Sequence, residues 1–163
     1  MVGKTLLWDL RALKDVVIPE GVQKIGNYWF SNSDIESVMI SADITEIGVE
    51  AFCGCQRLKQ VTFSDESRLE KLDDFCFCKS ELTEISLPSS VRDIGVKTFC
   101  GCAGLKTLTL NEDLKTIGES SFEGTGLEEV IIPDTVERLS NSAFCDCKNL
   151  RNIELQEGLK EIG

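Results

Sequence analysis

Apolar residues recur along this chain in two short segments joined by a polar turn, and the pair of segments returns about every 22 residues. Each unit opens on an aromatic: Trp8, Phe30, Phe52, Phe77, Phe99, Phe122 and Phe144, at steps of 22, 22, 25, 22, 23 and 22. Five or six residues later comes a triplet whose last two members stand two apart: Leu13/Val16/Ile18, Ile35/Val38/Ile40, Leu58/Val61/Phe63, Leu82/Ile85/Leu87, Leu105/Leu108/Leu110, Leu127/Val130/Ile132 and Leu150/Ile153/Leu155. That spacing predicts a strand with one buried face. A second apolar pair follows at spacing three, as in Val22/Ile25, Ile44/Ile47, Leu69/Leu72 and Val91/Ile94. Turn residues such as Pro19-Glu20-Gly21 and Pro133-Asp134-Thr135 separate the two segments.

A unit this short cannot bury its own apolar face, so it must stack on its neighbours, and the core becomes a column one unit wide. The pattern predicts a single solenoid over residues 1–163 with about seven repeats. A parallel sheet lies on one face, and short strands and turns lie on the other. The class expected is a β-rich α/β stack. Residues 1–12 read as a degenerate first unit or cap, with Trp8 in the aromatic column. Ser64 to Arg68 lengthens one turn by two residues and predicts a bulge there. The last unit stops at Ile162-Gly163 with no polar capping segment, so the chain reads as part of a longer one, or as pairing with a second copy through its open end.

Two columns of charge support stacking in register. One reads Lys24, Glu46, Lys71, Asp93, Thr116, Arg138, Glu161, and the other Lys14, Glu36, Lys59, Thr83, Lys106, Glu128, Arg151. Signs alternate along both. Opposite charges on adjacent strands attract, though each exposed pair is worth under about 1 kcal/mol. Their simplest role is structural.

The run Ile44-Thr-Glu-Ile-Gly-Val-Glu-Ala-Phe-Cys-Gly-Cys-Gln-Arg-Leu58, echoed by Val91-Arg-Asp-Ile-Gly-Val-Lys-Thr-Phe-Cys-Gly-Cys-Ala-Gly-Leu105, resembles the BspA-like leucine-rich repeat. The resemblance covers Trp8 to Gly163. It implies a right-handed leucine-rich-repeat stack and a non-enzymatic part in adhesion and protein binding, at a cell surface or in secreted form, with host or matrix proteins as partners. The proline of that pattern is replaced by Ser41, Ser64, Asn111 and Gln156 in four units.

All eight cysteines fall in Cys-x-Cys pairs: Cys53/Cys55, Cys76/Cys78, Cys100/Cys102 and Cys145/Cys147. The position three after Phe reads as a small buried slot, holding Cys55, Cys102 and Cys147, with Ser33, Ser80 and Thr125 in the shorter units. The position one after Phe holds Cys53, Cys78, Cys100 and Cys145. Three readings stand: unpaired thiols packed as small apolar groups, vertical disulfides such as Cys53 to Cys78, and a thiolate metal site. Cys-x-Cys in a stacked turn lacks the loop of a zinc knuckle, which weighs against the third.

Catalysis finds little support. There is no histidine, so no Ser-His or Cys-His nucleophile can be assembled. Carboxylate chemistry on a polysaccharide is the enzymatic alternative, and a structural spacer is the other. Side chains opposite the buried pairs of the first strand predict an open face of Asp15, Val17, Met39, Gln60, Thr62, Glu84, Ser86, Thr107, Thr109, Glu129 and Ile131. It suits a protein ligand, yet it carries no aromatic anchor. Net charge is −11, which excludes nucleic acid and anionic membrane surfaces as partners. An acidic rim follows the first strand: Glu20, Asp43, Asp65, Glu66, Glu112, Asp113, Asp134 and Glu157. Turn preference accounts for such residues, and a basic ligand or a weakly held divalent cation is the functional reading of the same row. No stretch is long and apolar enough to form a transmembrane segment, and no cofactor is indicated. Surface or secreted placement rests on the resemblance, and a cytoplasmic one stays open.

Overall fold

The computed structural model describes residues 13–163. The predicted cap over 1–12, with Trp8, lies outside them. In chain order the strands alternate between two sets. The first is β1 (Asp15–Val17), β3 (Ser37–Ile40), β5 (Gln60–Phe63), β7 (Glu84–Ser86), β9 (Thr107–Thr109), β11 (Glu129–Ile132) and β13 (Asn152–Leu155). The second consists of two-residue strands: β2 (Lys24–Ile25), β4 (Glu46–Ile47), β6 (Lys71–Leu72), β8 (Asp93–Ile94), β10 (Thr116–Ile117), β12 (Arg138–Leu139) and β14 (Glu161–Ile162).

The chain is a parallel β-solenoid of about six turns. The second strands form one seven-stranded sheet in the order β14-β12-β10-β8-β6-β4-β2, each rung pairing only with the next. The first strands form three shorter sheets, β1-β3-β5, β7-β9 and β11-β13. Every pairing is parallel and keeps the predicted register, for example Val38↔Val61 and Ile94↔Ile117.

The expected α/β class is corrected. No helix occurs among the described residues. The reason lies at the corner that carries the phenylalanines. Each turn holds two residues at positive φ, one two before Phe and one two after: Glu50 and Gly54, Lys97 and Gly101, Ser120 and Gly124 among them. A left-handed residue every fourth position breaks any run of α-helical bonds. Backbone groups are satisfied instead by alternation. Ala51 and Cys53 donate back to Gly48 and Glu50 at 3.1 Å, while Phe52 and Gly54 donate to Cys76 and Cys78 of the next rung at 2.7 Å. About seven repeats were also expected. With the first aromatic outside the described residues, the phenylalanine column counts from Phe30.

The core is the predicted one. Phe52, Phe77, Phe99 and Phe122 are fully buried, as are Ile35, Ile40, Ile44, Ile47, Leu58, Leu69, Leu72 and Leu82. Phe30 to Phe144 form one continuous stack, with ring centroids 5.1 to 5.6 Å apart and planes within 7°. Rung spacing thus sets the rings inside the range of favourable offset stacking. Burial fails at the two ends, where Leu13, Ile153, Leu155 and Ile162 are exposed.

One charge column behaves as expected at Lys24–Glu46 (2.5 Å) and Arg138–Glu161 (3.0 Å). Lys71 departs from it and pairs with Asp73 of its own rung at 2.5 Å. Asp73 stands where neighbouring units have the glycine of Ile-Gly, which brings its carboxylate within reach of Lys71. In the second column only Lys14–Glu36 closes, at 3.0 Å, among the described residues.

Candidate interaction face and thiol column

Alternation along the first strands turns every second side chain outward, and register places these side chains in files. Asp15 lies beside Ser37, whose hydroxyl donates to its carboxylate at 2.6 Å. Val17 lies beside Met39, which lies beside Thr62; Glu84 lies beside Thr107, and Ser86 beside Thr109. Glu129 and Ile131 face Asn152 and Glu154. Of the eleven face residues read from the sequence, all are exposed except Thr62, which is half-buried.

Two features of this face were not legible. Val17 and Met39 form an adjacent apolar pair, 68% and 53% exposed. The sheet of first strands also parts between β9 and β11 and, beside the lengthened turn of Ser64 to Arg68, between β5 and β7. A shallow groove of about 510 Å³ lies there, lined by Gln60, Thr62, Glu84, Ser86, Thr107 and Thr109, with Ser64, Asp65 and Ser89 of the turns at its edge. Its walls offer hydroxyl, amide and carboxylate groups at strand spacing. Glu84 and Glu129 are two rungs apart, about 10 Å by ladder geometry. That is wider than the carboxyl pairs of glycosidases, at roughly 5 to 9.5 Å.

The acidic rim is thinner than the sequence implied. Asp43 accepts the Gly21 N–H at 2.8 Å and meets Arg68 at 3.6 Å, and Asp113 meets Arg92 at 3.4 Å. Arg68 comes from the lengthened turn, so that insertion neutralises part of the rim. Glu20, Asp65, Glu66, Glu112, Asp134 and Glu157 form no ion pair among the described residues. Away from the face, Tyr28 and Trp29 are more than half exposed at the corner beside Phe30. Their type is the one enriched in binding hot spots, and no period marked them.

All eight thiols are free. Cys55, Cys102 and Cys147 fill the slot three after Phe, and each donates to the carbonyl of the preceding rung's Phe, at 3.0 Å to Phe30, 3.1 Å to Phe77 and 3.0 Å to Phe122. Each also contacts the hydroxyl one rung back, Ser33, Ser80 and Thr125, at 3.4, 3.3 and 3.2 Å. The slot is therefore a polar file in which hydroxyl and thiol alternate. Cys76 stands on the other side of Phe77 and is fully buried. Burial pushes the Cys76 thiol well above its usual 9.0, Cys78 up to about 12 and Cys102 up to about 11. Among the described residues no three Cys, His, Asp or Glu side chains converge as a metal ion requires.

A stack of short parallel strands with one solvent-facing sheet defines a leucine-rich-repeat solenoid. The BspA type leucine rich repeat region matches residues 8–77 and 70–163, in six copies, and the chain belongs to that family. Leucine-rich repeats commonly mediate protein–protein interaction and are generally non-enzymatic. The crystal structure of pneumococcal vaccine antigen PcpA is similar over 91% of this chain and 42% of its own, at 28% identity and a TM-score of 0.84. The T. pallidum leucine rich repeat protein is similar over 92% of this chain and 72% of its own, at 26% identity and 0.81. A leucine rich cell surface protein from Faecalibacterium prausnitzii matches over 86% of this chain and 47% of its own, at 29% identity and 0.62. This chain thus spans less than half of two of these three relatives. No curated protein sequence matches it. No helix among the described residues is long and apolar enough to cross a membrane.

Proposed function

We propose that the chain is a non-enzymatic protein-binding module displayed at a cell surface, with the outward face of β3 to β11 as its contact surface. The observation that carries this reading is the register that gathers Gln60, Thr62, Glu84, Ser86, Thr107 and Thr109 around one groove at the sheet's opening. Parallel stacks of this kind present extended surfaces of the sort protein ligands use. The groove's small polar walls favour a segment of polypeptide backbone with polar or basic side chains. The unpaired rim acids beside it add to that preference. Surface display is supported by the relative described as a cell surface protein.

The test is equilibrium binding of the purified chain to a panel of cell-surface and matrix proteins, repeated with Glu84→Lys combined with Glu129→Lys. Loss of roughly tenfold or more in affinity, on the scale of one or two interface contacts, is expected for any ligand captured. A control variant, Lys160→Ala, on the far sheet should bind as the parent does. A ligand held equally by the parent and the face variant would end this reading.

A further inference from the structure

The column one residue after the phenylalanines brings three thiols onto consecutive rungs. Gly54 N–H donates to the Cys78 carbonyl at 2.7 Å, and Lys79 N–H donates to the Cys100 carbonyl at 2.8 Å, so Cys53, Cys78 and Cys100 are successive members of one ladder. The phenylalanine rings next to them are 5.2 and 5.6 Å apart. That rung spacing lies within the Cα separations of about 4.4 to 6.8 Å that a disulfide spans. Cys78 is buried, while Cys53 and Cys100 are half-buried and reachable from solvent. The column then changes chemistry. Ser31 precedes the trio and Glu123 follows it, which isolates the exposed Cys145 by one rung.

We propose that Cys53, Cys78 and Cys100 form a thiol–disulfide exchange site that takes a small-molecule disulfide of the glutathione type, with Cys78 as the resolving thiol for either neighbour. In the first step the thiolate of Cys53 or Cys100 attacks one sulfur of glutathione disulfide. The S–S bond breaks, and one glutathione leaves as thiolate and takes up the proton released by the protein thiol. In the second step Cys78, deprotonated, attacks the protein sulfur of the mixed disulfide, and the second glutathione leaves and is protonated in turn. Two protein thiols are oxidised and one glutathione disulfide is reduced to two thiols.

The geometry fixes which product forms. Only Cys78 has a thiol one rung away on both sides, while Cys53 and Cys100 are about two rungs, or 10 Å, apart and cannot join. Cys145 meets a carboxylate where the trio has a thiol, so it stops at the mixed disulfide. Cys55 and Cys102 are buried and engaged with Ser33, Ser80 and the Phe carbonyls. Burial also holds the Cys53, Cys78 and Cys100 thiols above their usual range. The exchange therefore runs slowly at neutral pH and quickens on the order of tenfold per pH unit as thiolate appears.

The experiment incubates the native chain with glutathione disulfide at pH 7 and pH 9, quenches by alkylation, and maps peptides with fragmentation that separates the members of each Cys-x-Cys pair. The expected map has Cys78 in every intrachain cross-link, joined to Cys53 or to Cys100, with Cys145 carrying glutathione alone and the cross-link forming faster at pH 9. Cys78→Ser should leave Cys53 and Cys100 as uncross-linked glutathione adducts. A map with Cys53 joined to Cys100, or with Cys78 still a free thiol when Cys145 is fully modified, would overturn the proposal. Both of those readings come from the unsubstituted chain, so they stand whether or not the variant folds.

Discussion

A residue such as Cys78 illustrates how little a side chain's type says about its chemistry before its neighbours are known. Here burial, with sulfur on either side, lifts the thiol from 9.0 to about 12, and Cys102 and Cys76 are lifted by the same cause. The stability consequence has a definite sign. Above pH 9 the unfolded chain releases thiol protons that the folded chain keeps, so folding stability falls as pH rises, by up to about 1.4 kcal/mol per pH unit for each such thiol. Denaturant titrations between pH 8 and pH 11 should show this loss, and Cys78→Ala should make the slope shallower. The slot three after Phe is buried at Cys55 and Cys102, as its place in the period implies, and half-buried at Cys147, whereas the position one after Phe ranges from buried Cys78 through half-buried Cys53 and Cys100 to exposed Cys145. Cys76, which sits before the aromatic, belongs to neither column and is buried.

At the scale of the element, the informative unit is the corner turn. Its two positive-φ positions recur in every described rung, yet only Gly54, Gly101 and Gly124 of the corner set are glycine. Tyr28, Glu50, Phe75, Lys79 and Lys97 hold the same conformation with side chains attached. This is why the sequence suggested a unit with helical content and the structure has none: the signal that stops a helix here is a backbone angle that few of its residues advertise. The exposed Lys79→Gly should raise stability by about 0.5–1 kcal/mol, through relief of left-handed strain less the entropy glycine adds. Gly118 is the opposite case, because a Cβ there would meet the Gly95 carbonyl oxygen at 2.5 Å of a packed neighbouring rung. Gly118→Ala should cost about 1–3 kcal/mol. Urea melts of the two variants beside the parent decide both.

For the whole molecule, period alone was enough to place the strands, their register and nearly every core side chain, since a repeat of this length has one way to hide its apolar face. The face residues were legible for the same reason, because strand alternation assigns them. The groove was not, because it depends on where a parallel sheet parts, and a two-residue lengthening of one turn does not announce that. The ion pairs of the rim acids Asp43 and Asp113 were not legible either, because Arg68 and Arg92 reach them from other rungs. With six rim carboxylates still unpaired, association with a basic ligand should weaken as salt rises from 50 to 500 mM, by roughly an order of magnitude where several charges are screened together. Affinity constant across that range would remove the rim from the contact surface.

The hydroxyl and thiol file beside the phenylalanines gives the stack a unit cell of two rungs. Excising residues 53–77 would set Ser33 against Ser80 and strip the Phe30 carbonyl of its thiol donor, whereas excising 53–99 would hand Cys102 to both. Proteins built on this plan therefore grow or shrink most easily in pairs of coils, lengthening their reach in strides of about 10 Å.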